Sequence, residues 1–207
     1  MTMLKQCNRL VPAVLVVAAI SSSAACGNGG EEVTVEDSYP DMPRVCDLVP
    51  RSTVDGLVHP TALPGGEGTG ETATCTWSYQ PSETPEGTER QPYRRELEVA
   101  VTRYEAMGER PGAYWAERTF EQLGDEPGMG PSEDLSGIGE QAYQWFGRYG
   151  VDEAGIEFVK ANLTVRVTYG GDDVTADGES VEMDKAMVIA GARTAAEEVD
   201  HTLAELK

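Results

Sequence analysis

The feature that most constrains this chain is a run of three apolar-alternating segments with almost no spacer between them: "EQAYQWFGRY" (140–149), "AGIEFVKA" (154–161) and "NLTVRVTYG" (162–170). In the last, Leu163, Val165, Val167 and Tyr169 alternate with Thr164, Arg166 and Thr168. A period of two is the signature of a strand with one buried face. Parallel neighbours need a crossover of about a dozen residues, and these connections are far shorter, so the strands pair antiparallel.

Two earlier segments carry the same period. "TATCTWSYQ" sets Ala73, Cys75, Trp77 and Tyr79 against Thr74, Thr76 and Ser78, which places Cys75 and Trp77 on the same buried face. "RRELEVAVTRYE" alternates Leu97, Val99 and Val101 with charged or small residues. Helical spacing is found in three places. A short helix is expected from Pro50 to Val58, with Ser52 or Thr53 as candidate caps; a second spans "AYWAERTFEQL" with Tyr114, Trp115, Phe120 and Leu123. A third starts at Asp184 and lines up Val188, Ala192, Ala195, Val199, Leu203 and Leu206 on one stripe. Apolar stripes and apolar sheet faces must cover each other, so the expected fold is α+β: an antiparallel sheet of about five strands packed by helices.

The N-terminal part has a different character. Lys5 and Arg9 precede an uncharged apolar run, Leu10 to Ile20, and Ser21 to Ala25 follow it. Basic, apolar and small-residue zones in that order make an export signal, expected over residues 1–25. The run is shorter than the ~20 residues a membrane span requires. The four residues Ser23, Ala24, Ala25 and Cys26 resemble the lipobox of bacterial lipoproteins, which usually has leucine where this chain has Ser23. The resemblance implies cleavage before Cys26, a fatty acyl group such as palmitate on it, and a location on the extracytoplasmic face of the cell membrane. Ordinary signal cleavage is the alternative.

After Cys26, "GNGGEEVTVEDSYPDMP" has the glycine, acid and proline content of a tether, so 26–43 is expected to be a linker and 44–207 a single globular domain. A flexible segment of that length has a root-mean-square reach of about 23 Å.

Cysteine use bears on the same point. Once Cys7 leaves with the signal, Cys26, Cys46 and Cys75 remain, an odd number that calls for explanation in an oxidising compartment. If Cys26 carries lipid, Cys46 and Cys75 are free to pair. A Cys26–Cys46 bridge is the other arrangement, and it strands Cys75 in a strand-like segment.

The 207 residues include 16 basic and 36 acidic ones, a formal net charge of −20, and the signal segment contains none of the acids. Such a polyanion repels phosphate backbones and anionic headgroups, so nucleic acid is not expected as a partner, and membrane attachment would run through the N-terminal lipid.

Motifs that carry chemistry are few. "GGEGTGET" (65–72) has phosphate-loop spacing, but Glu71 stands where lysine is required. "DVTADGESVEMD" (173–184) partly fits a calcium loop through Asp173, Thr175, Asp177, Gly178 and Asp184, without the acid at its third position or the closing glutamate. His59 and His201 are the only histidines, and they do not form a zinc spacing. No serine sits in a nucleophile-elbow motif. Tyr114, Trp115, Tyr143, Trp145, Phe146 and Tyr149 are candidates either for a ligand site or for core. No catalytic residue, cofactor or metal ligand is assigned.

A second resemblance covers nearly all of residues 44–206. "CDLVP" opening a short helix, "CTW" in a strand, "LSGIGEQAY", "VRVTYG" and a final alanine-rich helix occur in the order seen in an actinobacterial family of lipoproteins of unknown function. That likeness implies a lipid-anchored protein with paired cysteines and no assigned activity. By looser analogy it resembles a PsbP-like α/β/α sandwich. The expected function is a non-catalytic domain of the cell envelope that binds a small ligand or an envelope protein. A carboxylate-dependent hydrolase and a purely structural surface protein are the alternatives.

Overall fold

The computed structural model describes residues 37–66, 68, 70–83, 90–124, 132–147 and 152–206. The segment expected to be an export signal, the lipobox-like residues with Cys26 and the expected tether as far as residue 36 lie outside these, as does Tyr149. After a 3-10 turn at Val45–Asp47 come α1 (Arg51–Leu57), β1 (Pro64–Gly65), β2 (Thr72–Tyr79), β3 (Gln91–Arg103), α2 (Gly112–Gly124) and β4 (Glu133–Leu135). They are followed by β5 (Gln141–Phe146), β6 (Glu153–Lys160), β7 (Leu163–Val174), β8 (Ser180–Glu182) and α3 (Lys185–Glu205).

The fold is α+β. The strands form one sheet in the order β1-β2-β3-β7-β6-β5-β4, with β8 on β7, and all ladders are antiparallel. The sheet has eight strands where about five were expected. The additions, β1, β4 and β8, are two or three residues long, too short to show a period. β8 pairs with Asp172–Val174, just past Gly170 where β6 stops.

Strand pleat sorts the side chains into two cores. Ala73, Cys75, Trp77, Leu97, Val99, Val101, Ile156, Phe158, Leu163, Val165, Val167 and Tyr169 face one way and pack with α1 and α3. On α3, Val188, Ala192, Ala195, Val199 and Leu203 are fully buried, whereas Leu206, expected on the same stripe, is 57% exposed at the helix end. The alanines and Gly191 let the helix lie close to the sheet. A Cβ on Gly191 would meet the Tyr169 ring at 2.4 Å. On the other face a smaller core of Tyr143, Trp145 and Val159 packs under Ala116 and Phe120 of α2. The layers are therefore helix, sheet and helix. The second helical layer leaves Ser78 and Glu96 exposed and Thr76, Glu98 and Thr168 half-buried on its side of the sheet.

Helix ends follow local chemistry in part. The Asp184 carboxylate accepts from the Ala186 and Met187 N–H groups, the cap that starts α3. At α1 the N-cap is Pro50, with no side-chain cap, so the expected roles of Ser52 and Thr53 are not used. Cys46 and Cys75 form a disulfide with Cα atoms 5.2 Å apart, joining the turn ahead of α1 to β2.

Composition places residues 37–43 in the tether; the structure packs them on the domain. Tyr39 is buried, and its backbone N–H donates to Asn162 Oδ1 at 2.9 Å while its carbonyl accepts from Asn162 Nδ2 at 3.0 Å. The Tyr39 hydroxyl donates to the Leu203 carbonyl of α3 at 2.8 Å. Asp37 accepts from the Ala106 and Gly112 N–H groups at 2.9 and 2.7 Å. The packed domain thus begins by Asp37, held by side chains whose partners lie far along the chain.

Burial, reinforced by the carboxylates of Asp200 and Glu140, pushes the Tyr39 hydroxyl up to about 12 from an ordinary value of 10.0. A folded-state value above the unfolded one means that the contribution is complete below pH 10 and is lost as pH rises through 12. The stability difference between wild type and Tyr39→Phe, measured by urea unfolding, is therefore expected to shrink across that window. A difference that stays constant would contradict this account.

Candidate functional site

Two clefts flank the sheet face that α2 only partly covers. The first is built where β3 ends. Thr102 and Arg103 are its last strand residues, Tyr104–Met107 turn away, and Gly112 starts α2 directly behind the turn. A Cβ on Gly112 would lie 2.1 Å from the Tyr104 carbonyl oxygen, so only glycine allows the turn and the helix start to touch backbone to backbone. Asp37, bonded to both pieces, fixes their spacing. Trp115 and Thr119 of α2, Glu71 at the foot of β2, and the turn enclose a cleft of about 380 Å³, within the range of small-molecule sites.

Behind the wall of this cleft, hydrogen bonding among the described residues is incomplete. Arg103 donates from Nη1 to the Pro40 carbonyl at 2.9 Å and from Nη2 to Glu105 at 2.5 Å, but its Nε–H is buried with no partner among the described residues. The Trp115 indole N–H is likewise buried without a partner among the described residues, the ring standing edge-on to Tyr114 with centroids 5.1 Å apart. Buried donors without acceptors are uncommon in native proteins, and each calls for an explanation. Met107, 63% exposed, forms an apolar rim.

The second cleft, about 390 Å³, lies at the β6–β7–β8 junction and is lined by Glu96, Asp152, Glu153, Asp172, Glu182 and Arg94 among others. Arg94 pairs with Asp172 at 3.0 Å. A hydrogen bond with Asp152, and then the negative charge of Asp152, raise the Glu182 carboxyl above its usual range. Among the described residues, no group of three or more His, Cys, Asp or Glu side chains is arranged to hold a metal ion.

The residues singled out in the sequence are distributed as follows. Tyr143 and Trp145 are core beneath α2, and Trp145 packs against Gly155, where a Cβ would meet its ring at 2.0 Å. Phe146 is half-buried beneath the Lys185 ammonium, 4.7 Å from the ring centroid. Tyr114 packs under the Arg110 guanidinium at 4.6 Å. Of the described aromatic candidates, only Trp115 borders the cleft at the end of β3.

The calcium-loop candidate is overturned. Asp173 is a β7 residue 7% exposed, and its carboxylate is engaged by Arg95 and Arg90. Thr175 bonds to Glu179, and Asp184 caps α3, so these oxygens do not converge on a cation. The phosphate-loop candidate fails too, because Gly65 is in β1 and Thr72 opens β2 rather than a helix whose N-terminus could take a phosphate. His59 stacks on Tyr79 at 3.9 Å and bonds to Thr61; His201 stands 3.4 Å from Glu205 on α3.

Arg103, Tyr104 and Glu105 carry the first cleft and were not expected as site residues. A strand-end arginine beside a glutamate reads as solvated, and its missing partner is visible only in three dimensions. Among the described residues, no helix is long and apolar enough to cross a membrane. No family model, no curated protein and no solved structure matches this chain.

Proposed function

We propose that this chain is an exported lipoprotein, held at the outer face of the cell membrane by a lipid on Cys26, whose domain binds a ligand or an envelope partner without transforming it. The observation that carries the reading is the Cys46–Cys75 disulfide. Stable disulfides belong to oxidising compartments, which favours export. With those two cysteines paired, Cys26 is the one left over beyond the apolar N-terminal run. A lipid on Cys26 accounts for it without a free thiol outside the cell. The binding half of the reading draws on the cleft of about 380 Å³ beside Trp115 and the end of β3, whose size is within the range of small-molecule sites.

Metabolic labelling with an alkyne-bearing fatty acid tests the anchor. Wild type is expected to take up label and sediment with membranes, and Cys26→Ala to lose the label and leave the membrane fraction. Equal labelling of the two would sink the lipoprotein reading.

A further inference from the structure

We infer that the cleft between the end of β3 and α2 binds a small organic cation, a positive charge carried on an apolar body. This rests on the reading of the domain as a binding module and names the ligand class for its first cleft.

The reachable wall of the cleft is mostly carbon. Trp115 is half-buried with its indole nitrogen inside, so the part open to a ligand is ring carbon. Tyr104, also half-buried, packs on the smaller core beneath α2 and adds a second ring, and Met107, 63% exposed, adds a thioether. A ligand with methyl or methylene groups gains by burying them against such a wall, and a fully hydrated one gains little.

Charge selects within the apolar class. Arg103, its side chain only 13% exposed, is paired with Glu105 at 2.5 Å and bonded to the Pro40 carbonyl, so the charges of Arg103 and Glu105 cancel. The exposed Glu71 carboxylate has no hydrogen-bond or ion-pair partner among the described residues, and it leaves the cleft with one negative charge. Any ligand seated there displaces water from that carboxylate. A neutral apolar molecule gives nothing in exchange for the lost hydration, and an anion adds repulsion in a chain of net charge −20. A cation replaces the water, and aromatic rings attract it in a way that they do not attract neutral or anionic ligands. A bare calcium or magnesium ion fits poorly, because it asks for several oxygen ligands and the wall beside Glu71 is carbon. Asp37 holds the turn against the start of α2, so the wall is formed before a ligand arrives.

The test is a nuclear magnetic resonance titration of the full-length protein in nonionic detergent, read at the Trp115 indole and Met107 methyl signals. The probes are tetramethylammonium, its neutral counterpart tert-butanol, its anionic counterpart pivalate, and ammonium, which has the charge without the apolar body. Tetramethylammonium is expected to move both signals in a saturable way and to bind about tenfold more tightly than each of the others. Glu71→Gln, an exposed substitution that leaves the packing intact, is expected to weaken it about fivefold. Trp115→Ala, read at Met107, is expected to weaken it by about the same factor, and Glu182→Gln, in the other cleft, to leave it unchanged. No saturable shift with tetramethylammonium, equal or tighter binding of tert-butanol, pivalate or ammonium, or wild-type affinity in Glu71→Gln would overturn the inference. Saturable binding of tert-butanol or pivalate in its place would reject the cation and keep the binding module, and cation binding by a chain that takes up no fatty-acid label would reject the anchor alone.

Discussion

Replacing Asn162 with alanine is expected to destabilise the domain by about 3 kcal/mol and to release the segment around Tyr39. The Asn162 side chain is fully buried and makes three hydrogen bonds, accepting from the Tyr39 N–H and donating to the Tyr39 and Tyr104 carbonyls. Each such bond contributes roughly 1 kcal/mol net, and removing the amide leaves backbone groups in a place where water does not reach easily. The loss should be concentrated at the N-terminal edge, because Asn162 bridges Tyr39 across 123 residues of chain. Urea unfolding measures the total, and hydrogen exchange at the Tyr39 amide locates it. Asn162→Asp is a sharper variant: it retains the acceptor for the Tyr39 N–H but sets carboxylate oxygen against two carbonyls, so it should be at least as damaging. A loss below about 1 kcal/mol, with the Tyr39 amide still protected, would show that the segment at 37–43 is held by its other contacts.

The same residues explain where sequence reading succeeds and where it stops. Strands β2, β3, β5, β6 and β7 are legible because each buries one face and so repeats every second residue. Strap residues 37–43 are not legible, because glycine, acid and proline composition describes their neighbourhood, whereas Tyr39 is held by a partner on the β6–β7 turn. Asp173 shows the same limit: its position suits a calcium loop, but Arg95 and Arg90, 78 and 83 residues earlier, take its oxygens. Trp115 is visible in sequence as an aromatic, and only packing distinguishes it from Trp145, which is core. Local pattern reports which face of an element is apolar; it does not report which polar group remains without a partner.

Reduction of the Cys46–Cys75 bridge, or its replacement in a Cys46→Ala/Cys75→Ala double variant, is expected to lower stability by about 3.6 kcal/mol, the chain-entropy value for cysteines separated by 29 residues. That is a large part of the 5–15 kcal/mol that typically separates a folded domain from its unfolded chain. For a domain of this size it corresponds to a fall in melting temperature of about 7–14 °C. The mechanism makes a second, separable demand. Cys75 is fully buried among Val99, Trp77 and the rest of the first core, so the strand is held by packing whether or not the bond exists. The bond then acts chiefly on the unfolded chain, by keeping the turn ahead of α1 near β2 when everything else is lost. Near-ultraviolet circular dichroism at room temperature should therefore be almost the same with and without the bridge, while the denaturation midpoint drops. If the tertiary signal collapsed on reduction, the bridge would be holding the folded state together directly. If neither signal nor midpoint moved, the loop it closes would already be constrained in the unfolded chain by other means.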